Sequence, residues 1–395
     1  QRRVWLTVMA VGVVFSHYST TYVLIGVMGI AWALSHAGPL IDRIRPARRR
    51  LLRIAREPLV ITWPILVGLA VLVVLWTGPA TGTSGQLEKT VASSASGIFT
   101  GDLLGNRSDD VSYSLVAGGT LTPAERLAAY RADALEGTAA RRADGTYFPR
   151  DVIDRYATAP YEPPDLPLTA LGRAVSDTGV DVTAANALMR GGFARLLQLF
   201  VLIGLVVAAL GLVRWFRVTH EFFLLAVASF LVIISQVLLP ALTVEYGLLR
   251  AVQQGLFVLA PFLVAGSIAP FVRLGLRRAT AISSALGVCF FLSLTGVIPS
   301  MLGGYPAQLH LSNSGVYYDL YYVQPQEQAA IAWLAARSGP GTEVQSERQN
   351  DRYESSNVAD FASFSISDDI YPVYLRPDSI VFLGESVVQR GHASL

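Results

Sequence analysis

Cysteine is almost missing from this chain: Cys289, the only one, lies in an apolar run, which excludes an internal disulfide framework and any cysteine-based metal cluster. Charge is scarce too. Charged residues make up 15% of the 395 and the formal net charge is +2, so there is no dense basic surface for nucleic acid. Lysine is reduced to Lys89, and the histidines are scattered as His17, His36, His220, His310 and His392. No nucleotide-binding loop, zincin helix or nucleophile elbow can be found, which removes the usual footings of soluble-enzyme chemistry. No cofactor is called for, although a divalent metal stays compatible with the residues. No internal repeat of roughly 20 to 50 residues is visible, which counts against a solenoid or propeller. The chain opens on Gln1 without an initiator methionine, and the run from Val4 lacks a signal-peptide cleavage site. We therefore expect a C-terminal fragment of a longer protein, with helices upstream.

What the chain does have is apolar length. Hydrophobic residues make up 52% of it. Five runs approach the ~20 residues that span a ~30 Å hydrocarbon core: Leu59 to Trp76, Leu196 to Val213, Phe222 to Val244, Ala251 to Val272 and Ala279 to Met301. A sixth region, Val4 to Leu34, is interrupted by a polar patch and reads either as two short helices or as one kinked helix. The expected fold class is an α-helical polytopic membrane protein of about six to seven transmembrane helices. A largely helical external loop and a small external α/β C-terminal segment complete it.

Arginine placement predicts orientation, because short loops rich in Arg stay cytoplasmic. Arg43, Arg45, Arg48, Arg49, Arg50, Arg53 and Arg56 crowd one loop, Arg214 and Arg217 a second, and Arg273, Arg277 and Arg278 a third. Alternating sides makes all three cytoplasmic. The predicted organisation is 1–77 transmembrane with a basic cytoplasmic loop at 38–58, 78–195 an external loop domain, 196–302 a four-helix transmembrane region, and 303–395 an external α/β segment. The membrane is expected to be the plasma membrane.

Within the external segments, Thr122-Pro123-Ala124-Glu125 predicts a capped helix running to about Leu135. A shorter helix is expected over Pro149 to Tyr156, extended chain over Pro160 to Pro164, and loops over Gly82 to Gly119. Thr183 is expected to cap the helix that enters the next span. In the tail, Pro325 to Leu334 reads as an amphipathic helix ended by Gly339-Pro340-Gly341, and Glu343 to Ser346 and Ser379 to Leu383 read as strands. The stripe Ile331, Trp333 and Leu334 needs an apolar partner, expected from the second strand, with the tail packed on the external loop.

Candidate chemistry sits at the outer boundary. Ser16-His17-Tyr18-Ser19-Thr20-Thr21-Tyr22 is an unbroken run of hydrogen-bonding residues between apolar stretches. Such groups cost several kcal/mol each to bury in lipid unless they find partners or a watery cavity. Two readings stand: an interfacial helix cap with Tyr at headgroup level, or a polar pocket containing His17 and Tyr18. In the turn at Glu245 to Arg250, Arg250 is an outside arginine against the general trend, with Gln253 and Gln254 next. It is either a surface ion pair with Glu245 or a guanidinium placed for a phosphate near a helix start. A third cluster holds Tyr305, Tyr317, Tyr318, Tyr321 and Tyr322 beside Asp319. Aromatic faces with a carboxylate suit a sugar, and an interfacial aromatic belt explains them equally.

These three segments, together with Gln326-Glu327-x-x-x-Ile331-x-Trp333-Leu334, resemble membrane glycosyltransferases of GT-C type that use polyprenyl-phosphate sugars, and related uncharacterised prokaryotic membrane proteins. The resemblance implies sugar transfer outside the cytoplasm, from a polyprenyl-phosphate-linked sugar to a glycan or protein acceptor not readable from the chain, with the catalytic carboxylate upstream of Gln1. It implies substrate binding by His17, Tyr18, Glu245, Arg250 and Gln253, and sugar binding by Tyr317, Tyr318 and Asp319. A polymerase or ligase of lipid-linked glycans is the neighbouring alternative, disfavoured because no histidine lies between His36 and His220. A non-catalytic transporter or scaffold is the alternative from another class. Transport is disfavoured because the spans between Leu196 and Met301 carry no charge and no repeated half.

Overall fold

A computed structural model describes residues 1–16, 18–44, 60–80, 122–155, 158–160, 166–238, 248–304, 322–339, 341–347, 364–367, 370–391 and 393. It is predominantly helical. In chain order come α1 (Arg2–Ser16), α2 (Tyr18–Ile44), α3 (Trp63–Leu75), α4 (Pro123–Gly137), α5 (Ala139–Ala143), α6 (Arg150–Ile153), α7 (Ala170–Ser176) and α8 (Val182–Leu210). Then follow α9 (His220–Leu238), α10 (Leu248–Ile268), α11 (Leu276–Leu294), α12 (Val297–Leu302) and α13 (Pro325–Ala335). Strands β1 (Thr342–Gln345), β2 (Phe364–Ser367) and β3 (Ile380–Val381) and a last short helix α14 (Glu385–Arg390) complete the order. The chain divides into two compact units, Gln1–Thr120 with Ala187–Phe291, and Leu121–Asn186 with Leu292–Leu395.

Among the described residues, four helical stretches are long and apolar enough to cross a membrane: Thr20–Ala37, Val182–Leu210, His220–Val237 and Leu248–Leu274. Trp63–Pro79 is apolar but shorter. The chain is thus consistent with a helical membrane protein. The region Val4 to Leu34 proves to be two helices, since α1 stops at Ser16, α2 starts at Tyr18, and the two pack on each other. The run Ala279 to Met301 is not one continuous helix: α11 ends at Leu294, and Gly296, at φ +84°, opens α12 from a left-handed conformation that side chains with a Cβ rarely adopt.

In the first unit, α9 is the central helix, packing against both α2 and α10. Its start is tied down by Glu221, whose Oε1 accepts hydrogen bonds from the backbone N–H of Val60 (2.9 Å) and Ile61 (2.9 Å). Leu224 and Ala228 of α9 then join Ala10, Val14, Met28, Ala31, Leu69 and Val73 in one buried cluster. Lipid tails are as apolar as these side chains, so close van der Waals packing, not exclusion of water, has to hold such helices together. The crossing of α8 and α10 shows it. A Cβ on Gly204 would lie 1.8 Å from the Phe262 carbonyl oxygen, and one on Gly266 would lie 1.8 Å from the Phe200 carbonyl oxygen. Fully buried Phe262 fills this crossing, with the rings of Phe216, Phe222 and Phe223 around it.

The second unit joins segments far apart in sequence. Helix α4 has the predicted cap: Thr122 Oγ1 accepts from Glu125 N–H, and Glu125 Oε2 accepts from Thr122 N–H (2.7 Å). Its Ala134, with Ile153, is buried against Tyr371 and Val373. Arg142 locks the same contact, Nη2 donating to the Val373 carbonyl (2.7 Å) and to Thr138 Oγ1 (2.9 Å) and Nη1 to the Phe148 carbonyl. The expected cap at Thr183 is replaced by Asp181, whose Oδ1 accepts from Ala184 N–H at 2.9 Å. A carboxylate at the start of a helix also gains from its dipole, which a hydroxyl two residues inside cannot match. Nearby, Thr169 N–H donates to the Leu302 carbonyl (3.1 Å) and Asn186 Nδ2 to the Gly303 carbonyl (3.2 Å).

The tail forms a three-stranded parallel sheet of order β2-β1-β3, with Val344 paired to Ile366 on one side and Ile380 on the other. Helix α13 covers it with Leu334, which packs with Val344 and Phe382, while Ile331 is also buried. Each such burial is worth about 1.5–3 kcal/mol. Trp333 departs from the expected stripe. It is 58% exposed, and the Arg337 guanidinium lies 4.3 Å from its ring centroid, because a position one residue from Leu334 points about 100° away around the helix.

Candidate functional site

The polar run at 16–22 marks the junction of α1 and α2. Ser16 Oγ donates to the Val13 carbonyl (3.1 Å), and Thr21 Oγ1, fully buried, donates to the same oxygen (3.2 Å). Two hydroxyls thus converge on one carbonyl in the last turn of α1. Thr20 points elsewhere: its Oγ1 accepts a hydrogen bond from Gln254 Nε2 of α10 at 3.1 Å. The polar junction at the start of α2 is therefore bonded to the start of α10, from which it is separated by more than two hundred residues of chain.

Helix α10 begins with Leu248 and Ala251 buried and with Arg250 and Gln253 exposed. Arg250 precedes Gln254 by four residues, so the two lie on one face of α10. The guanidinium is carried one turn outward from the Thr20 contact, in the first turn of a helix whose free N–H groups and dipole favour an anion. The opposite end of this unit holds the Glu221 contact with residues 60 and 61, which follow the basic loop 38–58. The polar junction and residues 60 and 61 thus lie at different ends of α9.

Of the sequence-predicted site residues, Arg250 and Gln253 are described and exposed at the start of α10, and Tyr18 is the first residue of α2. His17, Glu245, Tyr317, Tyr318 and Asp319 lie outside the described residues. The structure adds the contact between Thr20 and Gln254, which the sequence places in the two polar segments without pairing them, because residue spacing does not tell which helices meet. Among the described residues, no group of three or more His, Cys, Asp and Glu could hold a metal ion.

In the second unit the conspicuous charges serve the fold. Arg376 pairs with Glu343 on β1 and lies over the Tyr147 ring (5.5 Å to its centroid), and Gln345 accepts from Arg376 N–H (2.9 Å) while donating to the Tyr374 carbonyl (2.8 Å). Burial pulls the Arg142 guanidinium below its ordinary range, without threatening its charge near neutrality. Buried Glu327 accepts from Gln324 N–H (2.8 Å) and from Glu385 N–H (2.8 Å), joining the starts of α13 and α14.

Comparison with family models, characterised proteins and solved structures finds no match, so the function is argued from the residues of this chain alone.

Proposed function

We propose that the protein is a GT-C-like membrane glycosyltransferase, which transfers a sugar from a polyprenyl-phosphate donor on the non-cytoplasmic side of the plasma membrane. The observation that carries this reading is the hydrogen bond from Gln254 to Thr20, which joins two polar segments at one end of a bundle of otherwise apolar helices. Isolated interfacial caps have no reason to meet. Displacing a polyprenyl phosphate needs a cation for the departing phosphate and polar groups around the acceptor at the same membrane boundary. Arg250, one turn from Gln254, supplies the cation, and its planar fork suits a phosphate. His17, Tyr18 and Glu245 belong by sequence to the same two segments. On this reading the loops with Arg43–Arg56, Arg214–Arg217 and Arg273–Arg278 are cytoplasmic, and 78–195, the turn before Arg250 and 303–395 are external.

The test is a transfer assay on the full-length protein with a polyprenyl-phosphate sugar, at matched membrane levels. Arg250→Ala is expected to lower the rate roughly 100-fold or more, the scale for losing one charge-stabilising donor. Arg250→Lys should lose roughly tenfold despite keeping its charge, because an ammonium cannot reproduce the two-pronged contact. Unchanged rates in both, and in His17→Ala, would remove the reading.

A further inference from the structure

At the same end of the bundle a glutamine is buried with its oxygen unsatisfied among the described residues. Gln236 lies in the last turn of α9 and is 5% exposed, yet its side-chain oxygen Oε1 has no partner among the described residues. An unpaired buried amide oxygen costs about 1–3 kcal/mol, and a Leu or Met would fill the place without that cost. Among the described residues the fold offers this oxygen no donor.

Its position follows from the helix register. A Cβ on Gly255 would meet Ile233 Cδ1 at 2.8 Å, so Ile233 of α9 faces Gly255 of α10. Gln236 comes three residues later on the same face of α9, and Ala251 comes four residues earlier on the same face of α10. The two helices are antiparallel, joined through residues 239–247, so Gln236 stands opposite small, buried Ala251. Gln254, next to Gly255, bonds to Thr20. Three hydrogen-bonding side chains from three helices therefore fall within about one helical turn, ~5 Å, of the same depth.

The orphan atom is an acceptor, and that restricts what can satisfy it. A phosphate near neutral pH presents acceptor oxygens and would be repelled, whereas a hydroxyl is a neutral donor that enters an apolar bundle without the cost of burying a charge. We propose that Gln236 Oε1 accepts a hydrogen bond from a hydroxyl of the donor's sugar, so that Gln236 is the specificity residue separating sugar-bearing carrier lipid from the bare carrier. The inference rests on the glycosyltransferase reading above and divides its labour: Arg250 binds the phosphate that both lipids share, and Gln236 binds what only one of them has.

The experiment uses the full-length protein in lipid nanodiscs and a fluorescent polyprenyl phosphate as probe. The competitors are a polyprenyl phosphate bearing one hexose and the same lipid without it. Wild type should prefer the sugar-bearing lipid by about tenfold, the scale of one satisfied buried hydrogen bond. Gln236→Met should erase that preference, leave affinity for the bare lipid unchanged, and leave the thermal midpoint equal or higher. Arg250→Ala should weaken both lipids alike. A preference that survives Gln236→Met, or a wild type that never shows one, overturns the inference while the Arg250 result keeps the glycosyltransferase reading. If neither lipid displaces the probe from wild type, both fall.

Discussion

At the scale of single residues, carboxylates and amides that are wholly or partly buried matter because each has several neighbours to satisfy. Glu221 is the clearest case, since one oxygen holds two backbone N–H groups at the entry to α3. Glu221→Ala leaves both donors unpaired and should destabilise the first unit by about 1–3 kcal/mol, read as a lowered thermal midpoint in detergent. Glu125 makes a pH prediction. Its hydrogen bonds from the Thr122 backbone and hydroxyl hold its carboxyl below the ordinary range. A folded-state value that is depressed gives stability present above the unfolded value and lost as pH falls through the folded one. The start of α4 should therefore fray on the acid side of the ordinary carboxylate range, seen as faster amide exchange at Glu125 and Arg126. Glu125→Gln should flatten that dependence, since an amide has no proton to take up there.

At the scale of helices, the crossing of α8 and α10 depends on two missing side chains. Gly204→Ala or Gly266→Ala puts a methyl on a backbone carbonyl at 1.8 Å, which neither helix can avoid without moving apart. Each should cost several kcal/mol, by analogy with overpacked cores, and lower the thermal midpoint or the yield of folded protein. Gly192→Ala, in the same helix with nothing within 4 Å of the added methyl, is the control and should be neutral or mildly stabilising. A loss at Gly192 equal to that at Gly204 would mean that the crossing does not set the effect, since helix propensity by itself favours Ala over Gly. The same scale explains Trp333. The amphipathic pattern around it was readable, but only the docking of Leu334 between Val344 and Phe382 decided which side faces inward.

At the scale of the whole molecule, the prediction is of sidedness. In a Cys289→Ser background, single cysteines at Arg278 and at Ala139 and Ala329, all exposed, should divide: membrane-impermeant reagents in intact cells should spare the first and label the other two. The reverse pattern would overturn the orientation and with it the placing of Arg250. Thr138, beside Ala139, is unsuitable as a probe because it is buried and bonded to Arg142. Segments 78–195 and 303–395 read as distinct in sequence, with the tail expected to pack on the loop, and 121–186 and 292–395 make one compact unit, with Tyr371 and Val373 in the core that α4 and α6 supply.

Much was determined by the sequence alone, where the cause is local. Apolar runs long enough for a bilayer foretold four helices able to cross a membrane by length and composition, and Thr122-Pro123-Ala124-Glu125 foretold the start of α4, because capping needs only residues three apart. The break at 16–22 was visible as a polar interruption, though not whether one helix or two resulted. Tertiary structure alone decided what depends on partners far along the chain. That Thr20 meets Gln254, that Gly204 and Gly266 meet carbonyls, and that Gln236 is buried with an oxygen unpaired among the described residues are facts of helix register. Composition and periodicity state which face of a helix is apolar, and they carry no information about which residue of another helix comes to rest against it, since that is set by packing summed over the whole bundle.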